Sequence, residues 1–548
     1  LNTSGTQNSG CGRGSLQNNT TGSYNTAMGS LSLHNNTTAS NNTAVGYNSL
    51  ALNTTGLDNV AIGAYALDAN TTANDNTAVG KSALSANTTG ANNTALGLQA
   101  LLSNTTADNN LAVGKNSLGL NTTGTQNVAV GAFALDANTT GSYSTAIGYA
   151  ALTSNTGGFN TAIGRNALED NTSGQEHVAV GDSCFANNTT AGKNTGCGRS
   201  AGFSNTTGDQ NTFIGYVAGS ANTTGRINTA VGSNALAANT TGDFNVAVGG
   251  FALDAVTTGV NNVAVGTSAL TVNTASNNTA VGHESLAANT SGTNNTAAGH
   301  TALDALTTGS ENTAVGQTCL GRCTNGNYNT AIGRNSLAQG TSFSKGTAVG
   351  YQALASTTVD DNAAVGYESL VNVTTGYQNT AVGSTSGPDL TTGIDNTFIG
   401  YNAGDTTTTG SNNICIGKDS TGPSATSSND ITLGNSSNDN LRCNDTSISS
   451  LSDRRDKIEI IDLPAGLDFI NNLLPRKFKW QTRDGNIKDG LYRAGFIAQE
   501  LQEAQKDSDY LDLVQDKNPE RLEAKQEHLI PVLVKAIQEL SEKVTALE

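Results

Sequence analysis

The stretch N-T-A-V-G-K-S-A-L-S-A-N-T-T-G-A-N, residues 76–92, is one copy of a unit that fills most of this 548-residue chain. The glycine that corresponds to Gly80 recurs at 26 positions, from Gly12 to Gly434. Of the 25 intervals between these glycines, 22 are 17 residues long and three are 16. A period this regular indicates one supersecondary unit stacked on copies of itself.

Each unit combines a strand pattern with a turn pattern. The stretch T-A-V-G is short, β-favouring and apolar on both alternating faces, which favours a strand buried on each side. The position of Leu84 is Leu in 19 of 26 copies and is therefore predicted to lie in the core. In N-T-T-G the Asn caps its own backbone and the Gly permits a positive φ, as in a turn. Two short strands and two turns make one coil of a β-solenoid or β-roll, in which Asn and Thr stack as ladders.

The two glycines of the unit differ in how strictly they recur. The Gly80 position hardly varies, which predicts a place where neighbouring coils approach closely. The Gly90 position is Ala73 and Ala107 in two copies, so the turn tolerates substitution. A helical solenoid is the alternative fold, because A-L with its neighbours is compatible with one helical turn. The density of Gly and Thr opposes that alternative.

The repeats contain or resemble several functional patterns, each of which competes with a purely structural role. The N-x-T triplets match the glycosylation acceptor pattern, but the turn requires Asn and Thr anyway. Threonine ladders on a flat face would bind ice, yet these threonines belong to a turn. The G-G-x-G-x-D pattern of calcium-binding β-rolls is absent from the sequence. The carboxylates are scattered over variable positions, so the repeats are predicted to form a spacer rather than a catalyst.

Charge divides the chain near residue 451. Residues 1–451 hold 12 Lys and Arg with 25 Asp and Glu, whereas residues 452–548 hold 15 and 19 in far fewer positions. We therefore predict a solenoid shaft over 1–417, a neck with a last strand over 418–451, and a separate domain over 452–548. The net charge of −17 argues against nucleic acid or an anionic membrane as partner. No apolar run reaches 18 residues, so no membrane insertion is predicted.

Seven cysteines raise the question of a disulfide framework, and their position in the repeat answers most of it. Five occupy positions where Val, Ile or Ala is usual and are predicted to be small core residues: Cys11, Cys184, Cys197, Cys319 and Cys415. The roles of Cys323 and Cys443 stay open. Neither a disulfide framework nor a metal site is predicted, and no cofactor is expected.

The chain ends in a helical pattern with one apolar seam. Its spacing of 3, 4, 3, 4 and 3 residues is that of the a and d positions of a coiled coil, formed by Ile530, Leu533, Ile537, Leu540, Val544 and Leu547. Pro531 fits only near the start of such a helix. The seam favours oligomerisation, although one helix packed against its own domain gives a similar pattern. Trp480, the only tryptophan, is predicted to anchor the core of the domain.

The N-T-A-V-G and N-T-F-I-G units resemble the head repeats of trimeric autotransporter adhesins, whose period is shorter, and more closely the repeats of viral fibres. Three ordered motifs in 452–548 resemble the intramolecular chaperone domain of peptidase family S74. They are S-D-R-R-D-K at 452–457, G-F-I-A-Q-E at 495–500 and L-I-P-V-L-V-K-A-I-Q-E-L at 529–540. The resemblance implies a domain that ends a tail fibre, assembles as a trimer, templates folding of the stalk and cuts itself off between Leu451 and Ser452.

The chemistry of that cut is plausible from the residues themselves. Ser452 would attack the Leu451 carbonyl, and its hydroxyl needs a base. Lys457 lies five residues on, and desolvation or the nearby Arg454 and Arg455 would favour its uncharged form. The alternative is that Ser452 caps a turn and Lys457 is a surface charge; the spacing alone favours that alternative, and the family resemblance reverses the preference.

Taken together, the sequence predicts a homotrimeric virion fibre, mainly β, with a 17-residue-repeat β-solenoid shaft and a small α+β chaperone domain that ends in a coiled-coil helix. Its expected place is the virion surface, and its expected partners are a virion or tail attachment protein and a host glycan or receptor. A cellular trimeric adhesin or extracellular filament built from the same parts is the alternative. A depolymerase would need a catalytic insertion that the sequence does not contain.

Overall fold

A computed structural model describes residues 2–438, 441–442, 452–481, 487–516 and 522–547. The predicted fold class is confirmed: the protein is mainly β, a parallel β-solenoid of about 25 coils with 17-residue repeats, followed by a small α+β region that ends in a helix. The chain divides into two compact units, Leu1–Tyr367 and Glu368–Glu548. The domain limits at residues 417 and 451 stay predictions.

Every described coil contributes one strand of three residues, and the A-L segment forms a turn, so the prediction of two short strands per coil is wrong. The first unit contains β1 to β22, which are Ser9–Cys11, Thr26–Met28, Thr43–Val45, Val60–Ile62, Thr77–Val79, Thr94–Leu96, Leu111–Val113, Val128–Val130, Thr145–Ile147, Thr161–Ile163, Val178–Val180, Thr195–Cys197, Thr212–Ile214, Thr229–Val231, Val246–Val248, Val263–Val265, Thr279–Val281, Thr296–Ala298, Thr313–Val315, Thr330–Ile332, Thr347–Val349 and Ala363–Val365. The second unit contains β23 to β26, which are Thr380–Val382, Thr397–Ile399, Ile414–Ile416 and Ile431–Leu433.

Within each unit the strands pair in parallel with the strand of the next coil, like residue against like residue. In β5 and β6, for example, Thr77 pairs with Thr94 and Ala78 with Ala95. The 16-residue intervals keep this register, because the chain shortens in a turn rather than in the strand; β9 and β10 remain aligned. Parallel pairing follows from a chain that returns to the same edge once per coil.

In β2 to β25 only the middle residue of each strand lies in the core; the middle residue of β1 is exposed and that of β26 is partly buried. Ala78 is fully buried, whereas Thr77 and Val79 are partly exposed. The prediction that T-A-V-G is buried on both sides is therefore wrong. A strand of three residues presents only its central side chain to the inside of a narrow coil, and an apolar run does not reveal which faces are covered. The core is completed by the A-L pair, as the burial of Ala83 and Leu84 shows.

The recurring glycine is required by both its conformation and its contacts. Gly80 has φ +139°, and a Cβ placed on it would lie 2.3 Å from the carbonyl oxygen of Gly97 in the next coil. This confirms the predicted close approach of neighbouring coils. The turn glycine differs, since Gly90 does not have a positive φ. The predicted reason for glycine in the turn is therefore wrong, and Ala73 and Phe343 are buried at the same repeat position.

Asparagine side chains form two buried ladders along the coils. The backbone N–H of Asn93 donates to Asn76 Oδ1 at 2.9 Å, and Asn93 Nδ2 donates to the Ala107 carbonyl at 2.9 Å. In the turn, Asn104 Nδ2 donates to Asn87 Oδ1 at 2.9 Å. Each amide thus joins two coils, and the predicted Asn ladders are confirmed. Such buried amides remain favourable only while both donor and acceptor are satisfied.

The threonines of the turn form a parallel ladder through their hydroxyls. Thr88 Oγ1 donates to the Thr105 carbonyl at 3.0 Å. Asn87 is the residue of this N-T-T triplet that a glycan would be attached to, and it is fully buried. The turn and its ladder are therefore sufficient to explain why this triplet is present.

The cysteines follow the burial of their repeat positions. Three of the five predicted core cysteines are buried, namely Cys184, Cys319 and Cys415. The prediction is wrong for two, Cys11 and Cys197, which are exposed because the position before the recurring glycine faces outward. Cys323 is also buried, in place of a turn asparagine, and Cys443 lies outside the described residues. Burial raises the pKa of the Cys184 thiol to about 12, as expected for a structural cysteine.

The C-terminal region contains three α-helices and two short antiparallel strand pairs. The helices are α1 Leu467–Asn472, α2 Ala498–Ala504 and α3 Leu529–Thr545, and the strands are β27 Arg476–Gln481 with β28 Ile487–Gly495 and β29 Val514–Gln515 with β30 Glu523–Ala524. Short 3₁₀ helices span Arg454–Asp456, Asp509–Leu511 and Gln526–His528. Among the described residues, no helix is long and apolar enough to cross a membrane.

This region is built around a compact apolar core. Its buried members come from the helices and the connections between them: Ala465, Leu473, Leu501, Leu511, Leu513, Val514, Leu529 and Val532. Trp480 is not among them. The Trp480 side chain is 53 % exposed on β27 and packs edge-on against Phe478 at 5.5 Å between ring centroids, so its predicted role as core anchor is wrong.

Candidate functional site

Ser452 and Lys457 meet at the start of the C-terminal region. Lys457 Nζ donates a hydrogen bond to Ser452 Oγ at 2.5 Å. Both side chains are exposed to solvent. The structure therefore brings together the predicted nucleophile and the predicted base at hydrogen-bond distance, which is the first geometric requirement for such a pair.

A capped 3₁₀ turn produces this contact. Asp453 caps the turn, because its carboxylate accepts from the backbone N–H of Arg455 at 2.8 Å. At the other end the Lys457 N–H donates to the Arg454 carbonyl at 3.2 Å. The turn between the two side chains places Lys457, the sixth residue of S-D-R-R-D-K, back beside Ser452, the first.

The charges around the turn are partly paired. The Arg455 guanidinium grips Asp453, with Nη2 to Oδ2 at 2.5 Å and Nε to Oδ1 at 3.1 Å. This pair lowers the pKa of Asp453 and raises the pKa of Arg455. The charge of Arg455 is thus already balanced by Asp453, and the Lys457 side chain is exposed in the single chain. The single chain therefore does not supply the predicted desolvation of Lys457.

Two other residues bear on the proposed cut. Leu451, on the other side of the bond, lies outside the described residues. His528 is committed elsewhere: it borders α3, and its Nδ1 lies 3.1 Å from the Leu511 carbonyl, which it contacts as a donor. The contact that the structure gives the Ser452 hydroxyl is with Lys457.

The G-F-I-A-Q-E motif joins β28 to α2. Gly495 ends β28 beside the Phe478 ring, where an added Cβ would lie 3.2 Å from Cε1. Glu500 on α2 receives two hydrogen bonds from Arg476 on β27, at 2.7 Å from Nη2 and 2.9 Å from Nε. This two-point pair lowers the pKa of Glu500. The sequence reasoning missed Arg476, because a partner 24 residues away leaves no local pattern.

The seam of α3 faces away from its own domain. All six seam side chains are between 44 % and 88 % exposed: Ile530, Leu533, Ile537, Leu540, Val544 and Leu547. The residues that α3 buries are Leu529, Val532 and Ala536. The helix therefore has one apolar face packed on its domain and a second, longer one in solvent. The seam therefore does not pack on its own domain, which was the alternative explanation of its spacing.

Glu539 fixes α3 to the domain at a point that sequence reasoning did not find. Its carboxylate Oε2 accepts from the backbone N–H of Leu467 at 2.7 Å and so caps the start of α1. Gly466 leaves room for it, since a Cβ there would lie 2.4 Å from Glu539 Oε1. An anion at a helix N-terminus is favourable. The contact spans 72 residues, which explains why no local motif announces it.

A second exposed apolar surface runs along the first unit. The residue before the recurring glycine is apolar in most coils and points outward at the end of its strand. We call this surface the strand-end stripe; its large members that are at least 36 % exposed are Met28, Ile62, Leu96, Ile147, Ile163, Ile214, Val265, Val281, Val315, Ile332 and Val365. Because paired strands lie about 4.8 Å apart, the residues at this position form one row along the unit.

Comparison with known proteins finds a family match in the C-terminal region. Residues 452–510 match the Peptidase S74 family, described as chaperone of endosialidase. The match begins at Ser452, includes Lys457 and ends after the G-F-I-A-Q-E motif. It supports a C-terminal chaperone domain and covers none of the repeats. No curated protein matches the chain. Within the described ranges, no three His, Cys, Asp or Glu side chains group together as metal ligands.

Proposed function

We propose that this protein is a homotrimeric fibre of a virion, with a C-terminal chaperone that drives its assembly and then cuts itself off. The observation that carries the proposal is the Peptidase S74 match at residues 452–510, whose first residue is the serine held by Lys457. The solenoid is the part of the chain whose folding this chaperone would assist. Parallel pairing over many coils is slow to nucleate, because each coil closes a loop before it gains contacts.

Trimerisation is supported by the two exposed apolar surfaces. The seam of α3 has the a and d spacing that coiled coils bury, and each copy leaves it in solvent. The strand-end stripe is the matching surface on the shaft, and exposed apolar bands of this length mark protein interfaces. Two further copies of the same chain are the occupants that would cover both, because every copy brings the same seam and the same stripe in the same order.

The cut follows from the chemistry of the Ser452–Lys457 pair. Ser452 Oγ attacks the carbonyl carbon of Leu451 while Lys457 Nζ, in its uncharged form, takes the hydroxyl proton. The peptide C–N bond breaks, the proton passes to the departing amine of Ser452, and the Leu451 acyl group is left as an ester on Oγ. Water then hydrolyses the ester, which frees the Leu451 carboxylate and restores the hydroxyl.

Assembly would control this reaction through burial. The amine of Lys457 is exposed in one chain, and an ammonium does not accept a proton. Association with two further copies would remove water from the turn and favour the uncharged amine. Cleavage is therefore expected to follow trimer formation, which makes it a report that the shaft has folded.

The mature fibre would attach the virion to a host surface. We place it on the virion, joined to a tail or virion attachment protein and in contact with a host glycan or receptor. A stack of coils gives a long surface of repeated shape whose outward positions vary from coil to coil, as binding surfaces of solenoid proteins do.

Expression of the full chain tests the processing step. A denaturing gel is expected to show a fragment of 97 residues, 452–548, with Ser452 at its N-terminus by mass spectrometry. Ser452→Ala removes the nucleophile and Lys457→Met removes the base, so each variant is expected to stay full length. Ser541→Ala, at another exposed serine of the same region, is expected to be cut like the wild type. If the wild-type chain forms trimers but stays full length, the proposed cut is contradicted and only the chaperone role stands.

A further inference from the structure

A groove interrupts the flank of the first unit near its C-terminal coils. It has a volume of about 400 Å³, within the ~300–1,000 Å³ range of small-ligand sites. Its floor is formed by small residues at one repeat position in three successive coils, Gly321, Ala338 and Ala355. Asp304 holds the same repeat position in the preceding coil and closes one end of the groove.

The carboxylate of Asp304 lacks a hydroxyl partner that Asp68 has at the same repeat position. There, Ser85 Oγ donates to Asp68 Oδ1 at 2.6 Å, both residues being five positions after the recurring glycine. The residue that corresponds to Ser85 in the coil after Asp304 is Gly321, which has no side chain. Asp304 Oδ1 is buried and receives no hydrogen bond from the described residues. A buried acceptor without a donor is costly, so a ligand hydroxyl in the place of the serine hydroxyl would be favourable.

The other sides of the groove carry hydrogen-bonding side chains at regular spacing. Thr318, Asn335 and Gln352 occupy one repeat position in three consecutive coils, and Arg322 and Gln339 occupy another. These two rows offer amide, hydroxyl and guanidinium groups on both sides of an apolar floor. A compact molecule with several hydroxyls matches such a set better than an apolar one does.

The charge of the groove points to a neutral ligand. Asp304 supplies one negative charge and Arg322 one positive charge, and the remaining lining side chains are uncharged. Burial raises the pKa of the Asp304 carboxyl. A second anion beside Asp304 would be repelled, whereas a hydroxyl donates to it without that cost.

We propose that this groove binds a neutral saccharide unit, one hydroxyl of which donates to Asp304 Oδ1 as Ser85 does to Asp68. The inference rests on the attachment function proposed above and names the class of ligand and the place where it binds. None of the residues named in the groove belongs to the strand-end stripe, so the proposed trimer contact and the proposed ligand contact use different side chains.

The test uses the full chain and an array of immobilised neutral and acidic oligosaccharides. Gly321→Ser restores the missing hydroxyl next to Asp304, since an added Cβ would lie 3.5 Å from Oδ1; Thr318 Cγ2, at 2.9 Å, has to turn aside. Asp304→Asn keeps the shape but replaces one acceptor oxygen with a donor. Ala237→Ser adds the same hydroxyl at the same repeat position in a coil outside the groove. Unfolding midpoints of all three variants establish that they fold.

The wild type and Ala237→Ser are expected to bind at least one neutral oligosaccharide equally well. Gly321→Ser and Asp304→Asn are expected to lose about tenfold or more in affinity, because each removes or satisfies the hydrogen bond to a charged acceptor. Equal binding by Gly321→Ser and wild type would overturn the groove while attachment through another surface stands. Binding only to acidic saccharides, or none by an assembled trimer, would also overturn it, whereas failure of the fibre function itself would appear as absence of trimer and of the 97-residue fragment.

Discussion

At the residue scale, one glycine per coil sets the spacing of the solenoid. Gly80 combines a φ that L side chains rarely adopt with a backbone contact that leaves no room for a Cβ. Gly90 in the turn has an ordinary φ. A Cβ there would lie 2.3 Å from the Ala107 carbonyl oxygen, yet Ala73 and Phe343 occupy the same repeat position, so the turn adjusts to a side chain. The two glycines look alike in the sequence, but only the first also needs a φ that L side chains rarely adopt.

The matched pair Gly80→Ala and Gly90→Ala tests this difference. Gly80→Ala is expected to weaken the local structure by about 1–3 kcal/mol, because the backbone is strained and the new methyl meets Gly97. Hydrogen–deuterium exchange of the amides in β5 and β6 measures the loss as reduced protection. Gly90→Ala is expected to reduce that protection less, because the φ of Gly90 is ordinary and other coils carry Ala at this position. Equal effects of the two substitutions would contradict the assignment.

His177 replaces an asparagine in the buried ladder and imitates it. Its Nδ1 accepts from the Asn194 backbone N–H at 3.2 Å, and its Nε2 lies 2.7 Å from the Ala191 carbonyl, to which it donates. Only the neutral ring with its proton on Nε2 satisfies both contacts. Burial accordingly lowers the pKa of His177 below its ordinary value.

This histidine predicts an acid-sensitive coil. Below about pH 6.5 the unfolded chain binds a proton that the folded ladder resists, so the free energy of unfolding falls as the pH is lowered from there. The loss is expected to approach about 1.4 kcal/mol per pH unit until the folded ring also protonates. Exchange protection of β11 and β12, measured between pH 7.5 and 5, reports it.

His177→Asn restores the usual ladder residue and is expected to remove this part of the pH dependence. His283→Asn, at an exposed histidine, is expected to leave it in place. Asp68 and other carboxyls whose pKa is raised by burial titrate in both proteins and cancel in the comparison. The same pH profile in wild type and His177→Asn would show that the ring does not control the coil.

The sequence predicted the coil but not the orientation of every residue in it. The period, the place of the turn and the Leu84 core position are local signals, and all three describe the structure correctly. The reason for the turn glycine and the second strand of each coil were predicted wrongly. The outward face of Val79, Cys11 and Cys197 was missed, because an apolar side chain on a three-residue strand looks the same whether it meets the core or another molecule.

At the element scale, α3 is the part that we propose joins one chain to others. It packs on its domain through Leu529, Val532 and Ala536 and is fixed by the contact of Glu539 with Leu467. The opposite face presents the seam. The spacing of the seam was readable from the sequence, whereas the Glu539 contact was not, because residues 72 positions apart leave no periodic signal.

A charge placed in the seam tests its role. Ile537→Asp is expected to prevent assembly, because the trimer would bury three uncompensated carboxylates on one axis. Gln538→Asp adds the same charge at the neighbouring exposed position and is expected to assemble normally. Analytical ultracentrifugation distinguishes the two, and normal assembly of Ile537→Asp would mean that the seam is not the interface.

The Ser452–Lys457 contact belongs to the same scale, since a single 3₁₀ turn creates it. The sequence supplied both residues, and the turn places them 2.5 Å apart. The sequence could not supply the surroundings of Lys457, which depend on what covers an exposed amine. The predicted help from Arg455 is offset by its pairing with Asp453, a partner two residues away that the charge pattern alone did not assign.

At the scale of the whole molecule, one chain exposes two apolar surfaces that we propose are covered in a trimer. The strand-end stripe and the α3 seam lie in separate units, and the large apolar members of each are exposed. A trimer would carry three times the net charge of −17, which favours a soluble particle that does not adhere to nucleic acid.

The mass of the assembled protein tests this account most directly. Ser452→Ala keeps the chain of 55.6 kDa intact, so light scattering during size-exclusion chromatography is expected to give three times that mass, 166.8 kDa. Dilution to nanomolar concentration is expected to leave this mass unchanged, since both surfaces are buried together. A species of 55.6 kDa that exposes the stripe and the seam in solution would contradict the central claim.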